Sequence, residues 1–244
     1  MSQMIGFDRS IRLDWLDAAA GASRETEDIE QIRNYLHAYL AENYPNYTAR
    51  RKTITVLTRV WSRIPESDRP HRVRAFALLP GLNQADRIWL HWGMCILAYP
   101  FFRDVVRTVG YSLRYYGSFS KQEIIQRMSE TWGERATIPR AVQRVVESLN
   151  DWGVIAGCEQ KGRYRCAVPL STSNKDVEIW LLKVALCANP HDSFPVDQVH
   201  TLPEVFPFSC SLSIPDILGS RAFEVSQMGN NRFVLRCSER ERTD

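Results

Sequence analysis

Three groups of side chains in this sequence could do chemistry together, and all three are cationic. Arg140, Gln143 and Arg144 recur at helical spacing, so they point the same way from one helix face. Lys161, Arg163 and Arg165 surround a Lys161-Gly162 turn, and Arg163 and Arg165 share one face of an extended strand, with Tyr164 on the other. Arg50, Arg51 and Lys52 stand at the start of a further helix. Guanidinium and ammonium groups suit the phosphates of a polyanion, and Gln beside Arg can read base edges in a major groove. Nine residues are therefore candidates for nucleic-acid contact.

Reactive constellations are missing from the same sequence. There is no Gly-x-x-x-x-Gly-Lys-Ser/Thr loop, no Gly-x-Ser-x-Gly elbow and no His-Glu-x-x-His pair. His37, His71, His91, His191 and His200 are isolated, and His91 reads as a hydrogen-bonded core residue. The carboxylate pairs Asp14/Asp17 and Glu25/Glu27 lie in an acidic region without a basic or histidine partner, so no metal-assisted nuclease centre can be assembled. The expectation is a protein that is not an enzyme and needs no cofactor. Its six cysteines form no Cys-x-x-Cys pair and have no histidine at ligand spacing, which argues against a zinc module, so no metal is expected. Cys158 and Cys166 flank the hairpin turn and could oppose each other in one register. Reduced thiols that merely pack are preferred over a disulfide there.

Charge is distributed in blocks. The 244 residues carry a net charge of +3, and 44% are hydrophobic. Residues 1–48 hold 4 basic against 8 acidic side chains, residues 49–170 hold 20 against 10, and residues 171–244 hold 7 against 10. A basic middle between acidic ends fits a polyanion-binding segment, although an Arg-rich solvated surface would look the same. The N-terminus has no apolar core of a signal peptide, and the longest apolar stretch, residues 88–102, is interrupted by His91 and Pro100 and falls short of the ~20 residues a span needs. A cytoplasmic protein without membrane contact is expected.

The elements that must position these side chains are mostly helical. After an N-terminal arm, residues 27–43 carry Ile29, Ile32, Leu36, Tyr39 and Leu40 in one stripe, and Thr48 can cap a second helix running to Ile64. That pair is either a helix-turn-helix or, more commonly, an ordinary α-hairpin. Residues 70–79, 84–99 and 101–116 read as helices, the last with Arg103, Arg107 and Arg114 outward. Ser120 with Glu123 forms a capping box for a helix over residues 121–131. A short link leads to a helix over 138–152, whose buried stripe is Ala141, Val142, Val145, Val146 and Leu149. Strands over 154–159 and 163–168 complete a hairpin. Helix, link, helix and basic hairpin is the order of a winged helix, a module that serves DNA or protein contacts. A helix over 174–187 follows. Short strands about Gly229-Asn230-Asn231 and a charged tail, 238–244, then close a small α+β module. The expected fold class is mainly α, with a helical domain over 1–117, a winged helix over 118–170 and the α+β module over 171–244.

Two stretches resemble a known family. Residues 32–64 (Ile-Arg-Asn-Tyr-Leu … Glu-Asn … Thr-Ala-Arg-Arg … Arg-Val-Trp-Ser-Arg-Ile) and residues 87–106 (Arg-Ile-Trp-Leu-His-Trp … Tyr-Pro-Phe-Phe-Arg-Asp-Val-Val), with the spacing on to 138–155, are similar to BrxA. BrxA is the small DNA-binding component of bacteriophage exclusion (BREX) systems. The likeness covers roughly residues 28–156, and the chain departs from it in a long C-terminal extension and a clear wing. It implies a mostly helical, non-enzymatic cytoplasmic protein that binds double-stranded DNA among other phage-defence proteins, with a homodimer as an open option. Two rivals stand beside this expectation: a structural adaptor that docks defence proteins through the winged helix, and a repressor that would need a symmetric dimer and a preferred site.

Overall fold

Apolar residues at three- and four-residue spacing wind most of the chain into helices, and the protein is mainly helical. The computed structural model describes residues 5–42, 44–189, 193–228 and 232–237. Asn43, Pro190, His191, the expected turn Gly229-Asn230-Asn231 and the charged tail 238–244 lie outside the described residues.

The N-terminal arm is not a free tail. Phe7 and Ile11 are fully buried, and the segment leads into α1 (Leu13–Glu25), where the apolar pattern had suggested no helix. Trp15, Leu16, Ala18, Ala19, Ala20 and Ser23 are buried in it, and the small alanines let neighbouring backbones approach closely. In α2 (Ile29–Ala41), capped by the Asp28 side chain, Ile32, Leu36 and Leu40 are buried. Tyr39 departs from that stripe, being 41% exposed and stacked on Tyr35. The N-cap of α3 (Tyr47–Trp61) is Asn46, whose carboxamide accepts the Ala49 N–H, rather than Thr48. After α4 (Arg69–Leu78) comes α5 (Gln84–Ala98), capped by Asn83 and buried along most of its length. Then α6 (Pro100–Tyr116) opens on Pro100 and stops at Gly117, whose φ of +70° is a left-handed turn that suits glycine.

The middle of the chain builds a small three-stranded sheet against two helices. The order is β1 (Phe119–Ser120), α7 (Lys121–Trp132), α8 (Ile138–Asp151), β2 (Ile155–Gly157) and β3 (Arg163–Cys166). Ser120 and Glu123 form the expected capping box. The two-residue β1 was not foreseen, and it makes β3 the central strand of an antiparallel sheet ordered β1-β3-β2. The C-terminal part holds α9 (Lys175–Ala188), β4 (Phe194–Pro195), α10 (Ile214–Gly219), β5 (Phe223–Met228) and β6 (Arg232–Cys237). Its antiparallel sheet is ordered β4-β6-β5.

One continuous apolar core runs through all three parts. Trp92 of α5 lies against Phe102, Trp152, Phe206 and Phe208, and its indole N–H donates to the Glu204 carbonyl at 2.8 Å. Of the three arginines of α6 read as outward-facing, Arg103 and Arg114 reach other parts of the protein and Arg107 stays on its own helix. Arg103 donates to the Ala188 carbonyl and pairs with Asp104, Arg107 also pairs with Asp104, and Arg114 donates to the Thr201 carbonyl. The hairpin cysteines are free, as the preferred packing reading has it, and the register does not set them opposite each other. Cys166 lies opposite Ile155, the Cys158 N–H donates to the Arg163 carbonyl, and both thiols are free. The disulfide of the structure instead joins Cys187 in α9 to Cys237 at the end of β6. No described helix is long and apolar enough to cross a membrane.

His91 is the core histidine its setting suggested. Its Nε2 lies 3.0 Å from Asp17 Oδ1, and Arg87 approaches the same oxygen at 3.4 Å. Burial pushes the imidazole below its ordinary value of 6.5, outweighing the opposing pull of Asp17, so the ring stays neutral and donates its N–H to the carboxylate. As pH falls below about 6.5, the unfolded chain takes up a proton that the folded chain refuses, and stability is lost. The Asp17 carboxyl resists burial and is nevertheless held low by His91 and Arg87, which extends the loss to more acidic pH. The melting temperature is expected to fall steadily from pH 6.5 to 5, and His91→Gln to reduce that slope. A wild-type value unchanged across this range would contradict the assignment.

Candidate nucleic-acid interface

The exposed face of α8 is set by what its other face buries. Ile138, Ala141, Val142, Val145, Val146 and Leu149 are buried beneath it. The N-terminal strap then fastens its far end, because the Ile11 N–H donates to Ser148 Oγ at 2.9 Å and Trp152 Nε1 donates to the Ile11 carbonyl at 2.7 Å. With that stripe inside, Arg140 and Gln143 stand exposed and Arg144 half-buried. The first turn of α8 carries no acidic residue and its N-cap, Thr137, makes no side-chain cap, so the partial positive charge of the helix end is left uncompensated beside Arg140.

The three α8 candidates are not equivalent. Arg140 makes no side-chain hydrogen bond or ion pair among the described residues. Gln143 and Arg144 both turn to Glu147: Gln143 Nε2 donates to Oε1 at 2.8 Å and Arg144 Nη1 to Oε2 at 2.6 Å. Arg144 Nε is buried without a partner among the described residues. Glu147 thus latches two side chains that a phosphate or base edge would have to release.

The hairpin is divided in the same way. The tip, where Gly162 adopts a φ of +82°, carries Lys161, and Arg165 lies further along β3; both are exposed and make no ion pair among the described residues. Arg163 is committed to the fold. Its Nε donates to Ser118 Oγ at 3.0 Å, Nη2 to the Ser118 carbonyl at 3.1 Å and Nη1 to Glu123 Oε1 at 2.9 Å. The other Glu123 oxygen accepts the Ser120 N–H at 2.7 Å, and this backbone bond, followed by Arg163, holds the carboxyl below its usual range. Arg163 therefore ties the central strand to the start of α7. On the other face, Tyr164 stacks on Phe119 with Lys121 Nζ 5.7 Å from its ring.

The third group lies on different supports. The helix α3 packs on α1, α2 and α5, whereas α8 packs on α6, α7 and β2. Arg50 is held by the Tyr44 carbonyl at 3.0 Å, by His37 Nδ1 at 3.4 Å and over the Tyr47 ring. Burial, with Arg50 and Arg33 nearby, lowers the His37 pKa, as befits a ring nitrogen that must accept from a guanidinium. Arg51 and Lys52 remain exposed and unpaired among the described residues. The structure thus brings Arg140, Lys161 and Arg165 onto one helix and its adjoining hairpin, and leaves Arg51 and Lys52 on a separate support.

Three exposed tyrosines were not singled out in the sequence. Tyr111, Tyr115 and Tyr116 are exposed at the end of α6, with Tyr111 and Tyr115 stacked at 6.3 Å, and that end leads directly into the Ser118 that Arg163 grips. Their signal was the i, i+4 spacing of Tyr111 and Tyr115, on a helix whose buried stripe is Phe102, Val105, Val106 and Val109. Comparison with protein-family models, with curated proteins and with solved structures finds no match.

Arg163 gives a direct check of the division between structural and free cations. Arg163→Ala is expected to destabilise the protein by about 1–2 kcal/mol through lost charged hydrogen bonds, lowering its thermal midpoint. Arg165→Ala, two residues along the same strand, is expected to leave the midpoint within about 0.5 kcal/mol equivalent. Equal effects in a urea titration would contradict the assignment.

Proposed function

We propose that this protein is a non-enzymatic double-stranded DNA-binding protein and that residues 118–170 are a winged helix, with α8 as its recognition helix and the β2–β3 hairpin as its wing. The observation that carries the reading is the set of exposed cations Arg140, Lys161 and Arg165, unpaired among the described residues, on α8 and the hairpin next to it. A helix fits the B-DNA major groove with its N-terminal residues toward base edges and phosphates, and a flanking basic hairpin reaches the backbone. Arg140 lies in that N-terminal turn. Arg51 and Lys52 are a second, separate backbone contact. The resemblance of residues 28–156 to BrxA supports a role in a BREX-like phage-defence system, in the cytoplasm and among other defence proteins.

The committed arginines change the expected strength of binding. Arg50 and Arg163 are structural and Arg144 is latched, so Arg140, Lys161, Arg165, Arg51 and Lys52 neutralise about five phosphates and the log–log salt slope is about −4.5. Fluorescence anisotropy with a 20-base-pair duplex across a salt series measures it. The Arg140→Glu/Arg165→Glu pair is expected to abolish binding while circular dichroism stays unchanged. A flat salt response, or full binding by this folded variant, would overturn the reading.

Glu147 supplies a test of opposite sign. Glu147→Gln removes a negative charge from the exposed face and frees Arg144 and Gln143. It is therefore expected to tighten duplex binding by about fivefold, or roughly 1 kcal/mol. Weakened binding would show that Glu147 positions the recognition face instead of restraining it.

An adaptor role is the second reading, favoured by Tyr115 and Tyr116, which are 70% and 67% exposed beside the proposed winged helix. Under it, partners dock on the winged helix and its flanking tyrosines, so the Arg140→Glu/Arg165→Glu pair and Tyr115→Ala/Tyr116→Ala each remove partner capture.

A further inference from the structure

Three residues far apart in sequence, none of them used by the DNA reading, meet in the fold. His71 stands in the first turns of α4, Cys187 in the last turn of α9 and Cys237 at the end of β6. The ring nitrogen and the two sulfurs all lie within 4.8 Å of one another. We propose that His71, Cys187 and Cys237 form a zinc-binding site when the two sulfurs are reduced.

The donor set and its dimensions fit that ion. Two thiolates and an imidazole are borderline-soft ligands that favour Zn²⁺ over Mg²⁺, Ca²⁺ or Mn²⁺. Zinc–sulfur bonds of about 2.3 Å and zinc–nitrogen bonds of about 2.0 Å in a tetrahedron place the sulfurs about 3.8 Å apart and each about 3.5 Å from the nitrogen. The Cα atoms of the two cysteines are 5.2 Å apart, so small side-chain rotations bring the parted sulfurs to that spacing. Three protein ligands leave the fourth position to water or another small donor.

The surrounding structure holds the ligands in place before any ion arrives. The His71 carbonyl accepts the Trp180 indole N–H at 2.9 Å, and Arg74 pairs with Asp176 at 3.0 Å, so α4 is tied to α9 at and beyond His71. Cys237 lies at the end of β6, which pairs with both β4 and β5 and packs against α9. Each ligand thus rests on a separate, fastened element. No spacing in the sequence marks the site, because its ligands are 50 residues and more apart and only the fold unites them.

The chemistry balances in two steps. A dithiol reductant gives two electrons and two protons to the Cys187–Cys237 bond, which breaks to two thiols while the reductant closes its own disulfide. Zn²⁺ then binds both sulfurs and the neutral imidazole, and the two thiol protons leave to solvent. In a reducing compartment the thiol state prevails, and the ion takes over from the disulfide as the tie between the C-terminal sheet, α9 and α4.

The test uses the full chain, reduced with a phosphine, exposed to zinc chloride, desalted and assayed for bound metal, with Co²⁺ as a spectroscopic substitute. Reduced wild type is expected to retain a single zinc per chain and to show thiolate-to-cobalt charge transfer with tetrahedral visible bands. Oxidised protein is expected to retain none, which also separates metal binding from folding. Cys187→Ser and Cys237→Ser should each abolish the charge-transfer pattern, and His71→Gln should weaken zinc binding at least about tenfold. A Cys158→Ser/Cys166→Ser/Cys210→Ser variant should bind as wild type. Reduced wild type without stoichiometric zinc, or zinc kept by the Cys187→Ser/Cys237→Ser double variant, would overturn the proposal. Duplex binding by the winged helix is read separately, so either result stands whatever the other shows.

Discussion

The surface offered to a ligand depends on how α8 is held against the core. Its stripe of Val142, Val145, Val146 and Leu149 is buried, and the N-terminal strap locks the helix through Ile11, which donates to Ser148 and accepts from Trp152. A buried valine or leucine contributes about 1.5–3 kcal/mol, so rotating this helix to present another face would cost several such terms together. The rotation of α8 therefore decides that Arg140 and Gln143 look outward, and its junction with β2 decides where the hairpin stands. The N-terminal arm thus fixes the orientation of a helix more than a hundred residues away.

Arginine serves two purposes in this chain, and the count of basic residues conceals the difference. Arg103, Arg114 and Arg163 bond backbone carbonyls of distant segments, and Arg50 braces the turn between α2 and α3. A planar guanidinium with several donors is suited to such bracing, which a lysine would do poorly. The cations left unpaired are fewer and better placed than the block of positive charge suggests. Glu147 stands between the two classes, since the side chains it restrains belong to the outer face.

Much of the architecture was legible from spacing alone. The strong amphipathicity of α8, the Ser120–Glu123 box and the Asn83 cap are local signals, and each appears where the pattern places it. What could not be read depends on tertiary contact. The alanine face of α1 lacks a large apolar stripe, and two-residue β1 exists only because β3 offers it a partner. Likewise, the pairing of Glu147 with Arg144 and of Glu123 with Arg163 could not be weighed before the helix and hairpin were in place. The Cys187–Cys237 bond and its neighbour His71 join segments that no local motif relates.

Hydrogen–deuterium exchange of the full chain with and without a saturating 20-base-pair duplex bears most directly on the central claim. The account requires slowed exchange over residues 138–147 and 155–166, with α9 and the C-terminal sheet unchanged. Protection confined to the C-terminal sheet, or none at saturation, would contradict it.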